Sequence, residues 1–136
     1  MPVNKSVGID QLHMYTPHYS LDLNELARAR SDNPQTYLKS IGADAMSMLP
    51  PDEDIVTMGA SAAMPITQED KNIDMLIFAT ESSIDQSKSA GLFVHNLLSL
   101  APSCRVFELK QACYAATAGL QMACACLLYT SPSPRD

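Results

Sequence analysis

Two segments of the sequence place reactive side chains directly after short apolar runs. Glu81 follows the run at residues 73–79, and Cys113 follows the run at residues 104–109. A cysteine at a helix start lies near the positive end of the helix dipole, which favours the nucleophilic thiolate. A carboxylate at the end of an apolar strand is partly desolvated, which raises its pKa. A carboxyl group with a raised pKa is suited to take up and release a proton in catalysis. The pattern therefore indicates a nucleophile with an accompanying base.

Simpler interpretations of the same residues remain open at this point. A cysteine among alanines is more often a small buried hydrophobic side chain than a nucleophile, and a glutamate at a strand end is usually solvated. Cys104 lies at a strand start and lacks the helix-start environment of Cys113. The histidines His13, His18 and His95 have no carboxylate or cysteine at the spacing of metal ligands, so we expect no metal site.

The elements that would position these residues alternate between strands and helices. In chain order we predict a strand at 7–15, a capped helix at 22–30 and a brief helical piece at 37–41. A helix then begins after the acidic residues 52–54 and continues through apolar residues at 55, 58 and 62. A strand at 73–79 buried on both faces, a helix from 85 onward with a repeat of apolar residues between 90 and 98, a strand at 104–109 and a small-residue helix at 112–123 follow. This order predicts an α/β fold with a largely parallel sheet, in which ligand sites lie beyond the carboxyl ends of the strands.

Length and charge narrow the class of protein. A chain of 136 residues with 46% hydrophobic content can form one domain with a substantial core. The net charge of −6, without a cluster of basic residues, argues against a nucleic-acid partner. No apolar stretch reaches the roughly 20 residues that cross a bilayer, and the first ten residues lack the apolar run of a signal peptide. We therefore expect a cytoplasmic protein with free thiols and no membrane partner.

Residues 126–136 differ abruptly in composition from the helical segment before them. The string CLLYTSPSPRD is identified as what a transposase adaptor from DNA library preparation encodes when it is read in frame. We therefore expect residues 126–136 to be sequencing-adaptor read-through, and residues 1–125 to be the truncated N-terminal domain of a longer protein. An ordinary disordered tail is the alternative.

Four strings resemble, in order and spacing, the N-terminal part of bacterial-type 3-hydroxy-3-methylglutaryl-CoA (HMG-CoA) synthases. They are GIDQLHMYTPHYSLDLNELARAR, DEDIVTMGASAA, IDMLIFATESSIDQSKSA and FELKQACYAATAGLQMA. The most specific elements are ATES, which contains Glu81, and ACYAAT, which contains Cys113. The resemblance implies a thiolase-like fold, in which two similar halves stack as alternating αβαβα layers. This chain would supply most of the first half.

The resemblance also implies an activity and roles for individual residues. Cys113 would be the acyl-thioester nucleophile that accepts the acetyl group of acetyl-CoA, and Glu81 the proton donor and acceptor. Condensation with acetoacetyl-CoA and hydrolysis would then release HMG-CoA, a precursor in the mevalonate pathway to isoprenoids. No cofactor is implied, because the CoA thioesters are substrates, and the full-length protein would be a homodimer. Asn33 and Pro34 correspond loosely to a segment that contacts CoA, where an aspartate is usual in place of the asparagine.

One catalytic residue of the family lies outside the sequence. The histidine that helps to bind acetoacetyl-CoA follows the ACY motif at a distance that these 136 residues do not reach, so we expect the chain as it stands to be inactive. Two other functions remain as alternatives. One is another thiolase-fold enzyme, such as an initiating ketoacyl synthase, although such enzymes use histidine or asparagine in place of Glu81. The other is a non-catalytic scaffold that binds acyl-CoA.

Overall fold

The structure, a computed structural model, describes residues 6–70 and 72–129. Within these ranges the elements are, in chain order, β1 (Tyr19–Asp22), α1 (Leu23–Arg30), α2 (Pro34–Ser40), β2 (Ala45–Met48), α3 (Ile55–Glu69), β3 (Met75–Thr80), α4 (Ala90–Leu97), β4 (Arg105–Lys110) and α5 (Ala115–Tyr129). A 3-10 turn at Ala112–Tyr114 joins β4 to α5. The alternation of strands and helices that the sequence predicts is confirmed from β3 onward, although α4 begins at Ala90 and not at residue 85.

Strands β3 and β4 form a parallel pair at the centre of a three-layered arrangement. The pair runs in register from Met75 opposite Arg105 to Thr80 opposite Lys110. Alternate side chains of a strand point to opposite faces. Phe78 lies against α3 and α4 on one face, whereas Ile77 lies against α5 on the other. Helices therefore cover both faces, as predicted for a parallel sheet, although the side chains of β3 stay only half-buried or exposed.

The core lies between α3, α4 and β3. Val56 and Ala60 of α3 pack with Ala90 and Val94 of α4, and the apolar side chains around this group are Ile55, Leu76, Phe78 and Leu98. Helix α3 is confirmed, and its buried residues are Val56 and Ala60, whereas Ile55, Met58 and Ala62 are half-buried. This helix is apolar on most sides, so its sequence contains little contrast from which to determine the inner face.

The predicted first strand at residues 7–15 was also wrong. These residues form no regular element, and Ile9, Leu12 and Met14 are 72%, 86% and 85% exposed. A strand requires a hydrogen-bonded neighbour, and the part of the chain that the structure describes pairs none with this segment. The antiparallel pair of β1 and β2 was not predicted, because four-residue strands with exposed side chains carry no clear alternation.

Side-chain caps define where the predicted helices begin. Asp22 accepts hydrogen bonds from the backbone N–H groups of Asn24 and Glu25 at 2.7 and 3.2 Å, and Asp54 forms a capping box with Thr57. These backbone hydrogen bonds lower the pKa of both carboxyl groups. The stabilisation by the caps is therefore present above the usual aspartate pKa and is lost as the pH falls through the lowered value.

Helix α5 extends past residue 123, where the predicted helix ended. It includes Cys126–Tyr129, the first four residues of the segment predicted to be adaptor read-through, so the backbone does not change character at residue 126. Residues 130–136 lie outside the described residues. The foreign origin of residues 126–136 stays a prediction.

Several large apolar side chains are exposed on the helices. They include Leu92 and Leu97 of α4 and Leu120, Leu127 and Leu128 of α5, which are each 46–57% exposed. None of the helices in residues 6–70 and 72–129 combines the length and the apolar content needed to cross a bilayer.

Gly91 allows α4 to approach the sheet closely. A Cβ atom at this position would lie 2.8 Å from Cγ1 of Val106 and 3.2 Å from Cβ of Phe78. The β-branched valine has little rotameric freedom, so we expect Gly91→Ala to lower the free energy of unfolding by about 1–2 kcal/mol despite the helix propensity of alanine. Urea unfolding monitored by circular dichroism measures this change.

Gly119→Ala is the matched control for Gly91→Ala, because both glycines lie in helices that face the sheet. Its added Cβ would lie 3.3 Å from Cγ2 of Ile77, a contact that a small shift relieves, and alanine gains about 1 kcal/mol of helix propensity. We therefore expect a change in unfolding free energy near zero. A Gly91→Ala variant as stable as Gly119→Ala would contradict the close packing of α4.

Candidate active site

The two predicted catalytic residues lie after neighbouring strands at one edge of the sheet. Thr80 and Lys110 are the last paired residues of β3 and β4. Glu81 follows Thr80 directly, and Cys113 is the third residue after Lys110. Because the strands are parallel, both turns leave the sheet at its carboxyl edge. The structure thus brings the two turns to the same edge. Both residues are exposed there, so the predicted partial desolvation of Glu81 is not found and its carboxylate is solvated.

A hydrogen bond within the first turn fixes the chain around Glu81. Thr80 Oγ1 donates to the carbonyl oxygen of Ser82 at 2.6 Å, which bends the chain as it leaves β3. Further along the loop, the Asp85 carboxylate accepts from the N–H groups of Ser87 and Lys88 at 2.7 and 2.8 Å. These hydrogen bonds lower the pKa of Asp85. Glu81 therefore lies at the base of a loop with its own internal hydrogen bonds.

The second turn contains a strained residue immediately before Cys113. Ala112 has φ of +45°, in the left-handed region where a residue with a Cβ costs about 1–3 kcal/mol and which is frequent at functional sites. The Tyr114 N–H donates to the carbonyl oxygen of Gln111 at 3.0 Å, which closes the 3-10 turn. Helix α5 begins two residues after Cys113, so the cysteine lies at a helix start, as predicted.

Cys104 differs from Cys113 in its surroundings. Cys104 directly precedes β4, and its side chain is buried, whereas Cys113 is exposed. Burial raises the pKa of the Cys104 thiol, because a thiolate is poorly solvated in an apolar environment. Cys104 is therefore suited to packing, which agrees with its exclusion as a nucleophile on sequence grounds.

Two side chains of β4 connect the loop of Glu81 to the strand that precedes Cys113. Glu108 Oε2 accepts from the Ala90 N–H at 2.6 Å, and Lys110 Nζ donates to the carbonyl oxygen of Asp85 at 3.4 Å. Neither residue was predicted from the sequence to contribute to a site. A charged residue within an apolar strand, on the same face as Val106, is the signal that could have indicated Glu108.

An open cleft lies at the carboxyl edge beside Glu81. Its lining residues are Glu81, Ser82, Ser83, Ile84, Asp85, Gln86 and Lys110. Cys113 is not among them, although its turn leaves the neighbouring strand. A more enclosed cavity of about 270 Å³ lies between the start of β3 and the last turns of α5. That cavity is at the opposite end of the sheet from Glu81 and Cys113, so we place the site at the cleft.

The predicted CoA-contacting residues lie at the start of α2. Asn33 caps this helix, and its side chain accepts from the Gln35 N–H at 3.0 Å. Pro34 is the first helical residue, a position where the missing N–H of proline costs nothing. Both residues thus have a local structural role, and their contact with CoA stays a prediction.

The histidines contribute no recognisable site. His13 and His18 are exposed, and the half-buried ring of His95 has its Nε2 atom 3.0 Å from the carbonyl oxygen of Ala101. Nε2 must donate in this contact, because a carbonyl oxygen only accepts. Within residues 6–70 and 72–129, no three His, Cys, Asp or Glu side chains group in a way that could hold a metal ion.

Known proteins resemble this chain over most of its length. No family model matches the chain. A hydroxymethylglutaryl-CoA synthase from Enterococcus faecalis is 48% identical over 120 residues, which are 87% of this chain and 31% of the relative. The chain is homologous to hydroxymethylglutaryl-CoA synthases. A polyketide biosynthesis 3-hydroxy-3-methylglutaryl-ACP synthase from Bacillus subtilis is 38% identical over 96% of this chain and 32% of its own length.

Solved structures of HMG-CoA synthases share the fold. One synthase, complexed with CoA, is 44% identical and superposes with a TM-score of 0.83 over 90% of this chain and 32% of its own. Another, in complex with 3-hydroxy-3-methylglutaryl coenzyme A, is 36% identical with a TM-score of 0.86 over 93% of this chain and 31% of its own. The α/β fold of this chain is thus part of the thiolase-like fold of these synthases. The chain spans about a third of the length of these synthases.

Proposed function

We propose that this chain supplies the nucleophile and the acid/base of an HMG-CoA synthase, which condenses acetyl-CoA with acetoacetyl-CoA. The observation that carries the proposal is the position of Glu81 and Cys113 after two hydrogen-bonded parallel strands, at one edge of the sheet. The homology to HMG-CoA synthases at 48% identity supports it. A relative crystallised with CoA supports acyl-CoA as the class of substrate.

In the first half of the proposed reaction, the enzyme acquires the acetyl group. The Cys113 thiolate attacks the thioester carbonyl of acetyl-CoA, and the tetrahedral intermediate collapses with loss of CoA as its thiolate, which takes up a proton. The product is an acetyl thioester on Cys113. Backbone N–H groups at the start of α5 lie beside the turn and are suited to stabilising the oxyanion.

The second half of the proposed reaction forms the carbon–carbon bond. Glu81 removes a proton from the methyl group of the acetyl thioester, and the resulting carbanion attacks the ketone carbon of acetoacetyl-CoA. The alkoxide that forms takes the proton back from Glu81. Water then cleaves the thioester to Cys113, which releases HMG-CoA as a free carboxylate and restores the thiol.

A second candidate differs in the carrier of the acetyl group. The Bacillus subtilis relative is named as an HMG-ACP synthase of polyketide biosynthesis, and solved structures of another HMG synthase contain a donor acyl carrier protein. A carrier protein would deliver the same thioester to Cys113. The higher identity to an HMG-CoA synthase, 48% against 38%, favours CoA as the carrier.

Product analysis of the complete gene product that contains these residues tests the proposal. With acetyl-CoA and acetoacetyl-CoA, we expect one HMG-CoA and one free CoA thiol per turnover, measured by liquid chromatography with mass detection. The 136-residue chain assayed alone is the control, and we expect it to be inactive. Faster turnover with acetyl-ACP than with acetyl-CoA would favour the second candidate, and no HMG product from either donor would refute both.

Three further expectations concern the complete protein. A homodimer, a cytoplasmic location and the catalytic histidine beyond this sequence stay predictions. Size-exclusion chromatography with light scattering on the complete protein measures the oligomeric state.

A further inference from the structure

Two side chains of β4 hold the loop that begins at Glu81. Glu108 Oε2 accepts from the Ala90 N–H at the first turn of α4, and Lys110 Nζ donates to the carbonyl oxygen of Asp85. Glu108 and Lys110 are two residues apart on one strand, so both side chains point to the same face of the sheet. Side chains of β4 therefore hydrogen-bond to the loop at residues 81–89 in its middle, at Asp85, and where it meets α4, at Ala90.

The same strand leads directly into the turn that carries Cys113. Only Gln111 and Ala112 separate Lys110 from Cys113. From this arrangement we infer that Glu108 and Lys110 are positioning residues, which fix the loop of Glu81 relative to Cys113. The inference rests on the proposed function, because it assigns importance to the distance between a base and a nucleophile. Neither residue needs to touch the substrate for this role.

The two contacts differ in strength. The bond from the Ala90 N–H to Glu108 is short, involves a carboxylate and lies at a helix N-terminus, where the helix dipole favours negative charge. It is also partly buried, which protects it from competition by water. The contact of Lys110 with Asp85 is longer, at 3.4 Å, and is exposed. We therefore expect Glu108 to have the larger effect.

Catalytic rates depend steeply on such positioning. A displacement of about 1 Å between reacting groups can lower a rate by roughly a hundredfold. Formation of the acetyl thioester uses Cys113 and does not require Glu81, whereas carbon–carbon bond formation requires both. Loss of the hydrogen bonds that Glu108 and Lys110 make to the loop should therefore slow condensation more than acetylation of Cys113. A residue that only stabilises the fold would lower both half-reactions together, in proportion to the folded fraction.

Variants of the complete protein separate these possibilities. We expect Glu108→Ala to lower kcat for condensation by about 10- to 100-fold, with little change in the rate of Cys113 acetylation or in KM for acetyl-CoA. Glu108→Gln keeps an acceptor oxygen and should recover most of the rate. Lys110→Met should show a smaller loss, and Lys110→Arg should restore it. Arg105→Met, at the opposite end of β4, is the matched control and should behave as the wild type.

Amide hydrogen exchange provides a readout that does not depend on activity. In Glu108→Ala, the amides of residues 82–90 should exchange faster than in the wild type, with exchange in α5 unchanged. Equal losses of acetylation and condensation, or exchange in residues 82–90 equal to that of Arg105→Met, would overturn the inference. If the wild type forms neither the acetyl thioester nor HMG-CoA, the proposed function fails, and the exchange experiment still decides whether β4 anchors the loop.

Discussion

Cys113→Ser in the complete protein is expected to abolish formation of the acetyl-enzyme and to lower HMG-CoA synthesis by at least about a thousandfold. A serine hydroxyl ionises far less readily than a thiol, and Cys113 is the exposed thiol at the strained turn after β4. Incubation with acetyl-CoA, followed by proteolysis and mass spectrometry, locates the acetyl group. The wild type should carry it on the peptide that contains Cys113.

Cys124→Ser is the matched control for Cys113→Ser. Cys124 is also exposed and lies in α5, ten residues beyond the strained turn at residues 111–114. We expect this variant to retain both acetylation and turnover. Two outcomes would contradict the assignment of Cys113 as the nucleophile. One is acetylation of the Cys113→Ser variant at the wild-type level, and the other is an acetyl group on Cys124 in the wild type.

Glu81→Gln is expected to separate the two half-reactions. The amide keeps the size and the polarity of the side chain but cannot accept the methyl proton, so the acetyl thioester on Cys113 should still form. Condensation should slow by about 10²- to 10⁴-fold, the range that general acid–base catalysis contributes. Rapid-quench measurement of acetyl-enzyme and HMG-CoA in one experiment follows both steps.

The amount of acetyl-enzyme shows whether Glu81→Gln lacks only the base or is unfolded. A folded variant without the base accumulates acetyl-enzyme, whereas an unfolded variant does not form it. Glu69→Gln serves as the control, because Glu69 is exposed at the end of α3 and its carboxylate accepts from Gln11 Nε2 at 3.0 Å, which an amide oxygen can also do. This control should turn over as the wild type does. A Glu81→Gln variant with an unchanged condensation rate would show that another group removes the proton.

The sequence was sufficient where a local signal coincided with the tertiary arrangement. The helix starts at Asp22 and Asp54 were predictable, because a capping side chain bonds to backbone within three residues. The strand at residues 73–79 was predictable from its apolar composition between polar flanks. These signals need no knowledge of distant residues.

Sequence patterns did not predict features that depend on a distant partner. Residues 7–15 have the composition of a strand, but the described residues offer them no neighbour for the backbone hydrogen bonds of a sheet. The sequence did not show that Val56 and Ala60 are the most buried residues of α3, because the packing of Gly59 against Phe78 and of Ala60 in the core decides which side is buried. In both cases the deciding contacts are long-range.

By itself the sequence determined which residues could carry out the chemistry. Side-chain type, together with position after an apolar strand and the resemblance of the two motifs, predicted Glu81 and Cys113 as the reactive residues. The tertiary structure alone decided that the two turns leave hydrogen-bonded parallel strands at the same edge. It also showed the strained backbone of Ala112 and the contact between Glu108 and α4. The physical reason is that strand register, backbone strain and hydrogen bonds between distant residues arise only when the chain is packed.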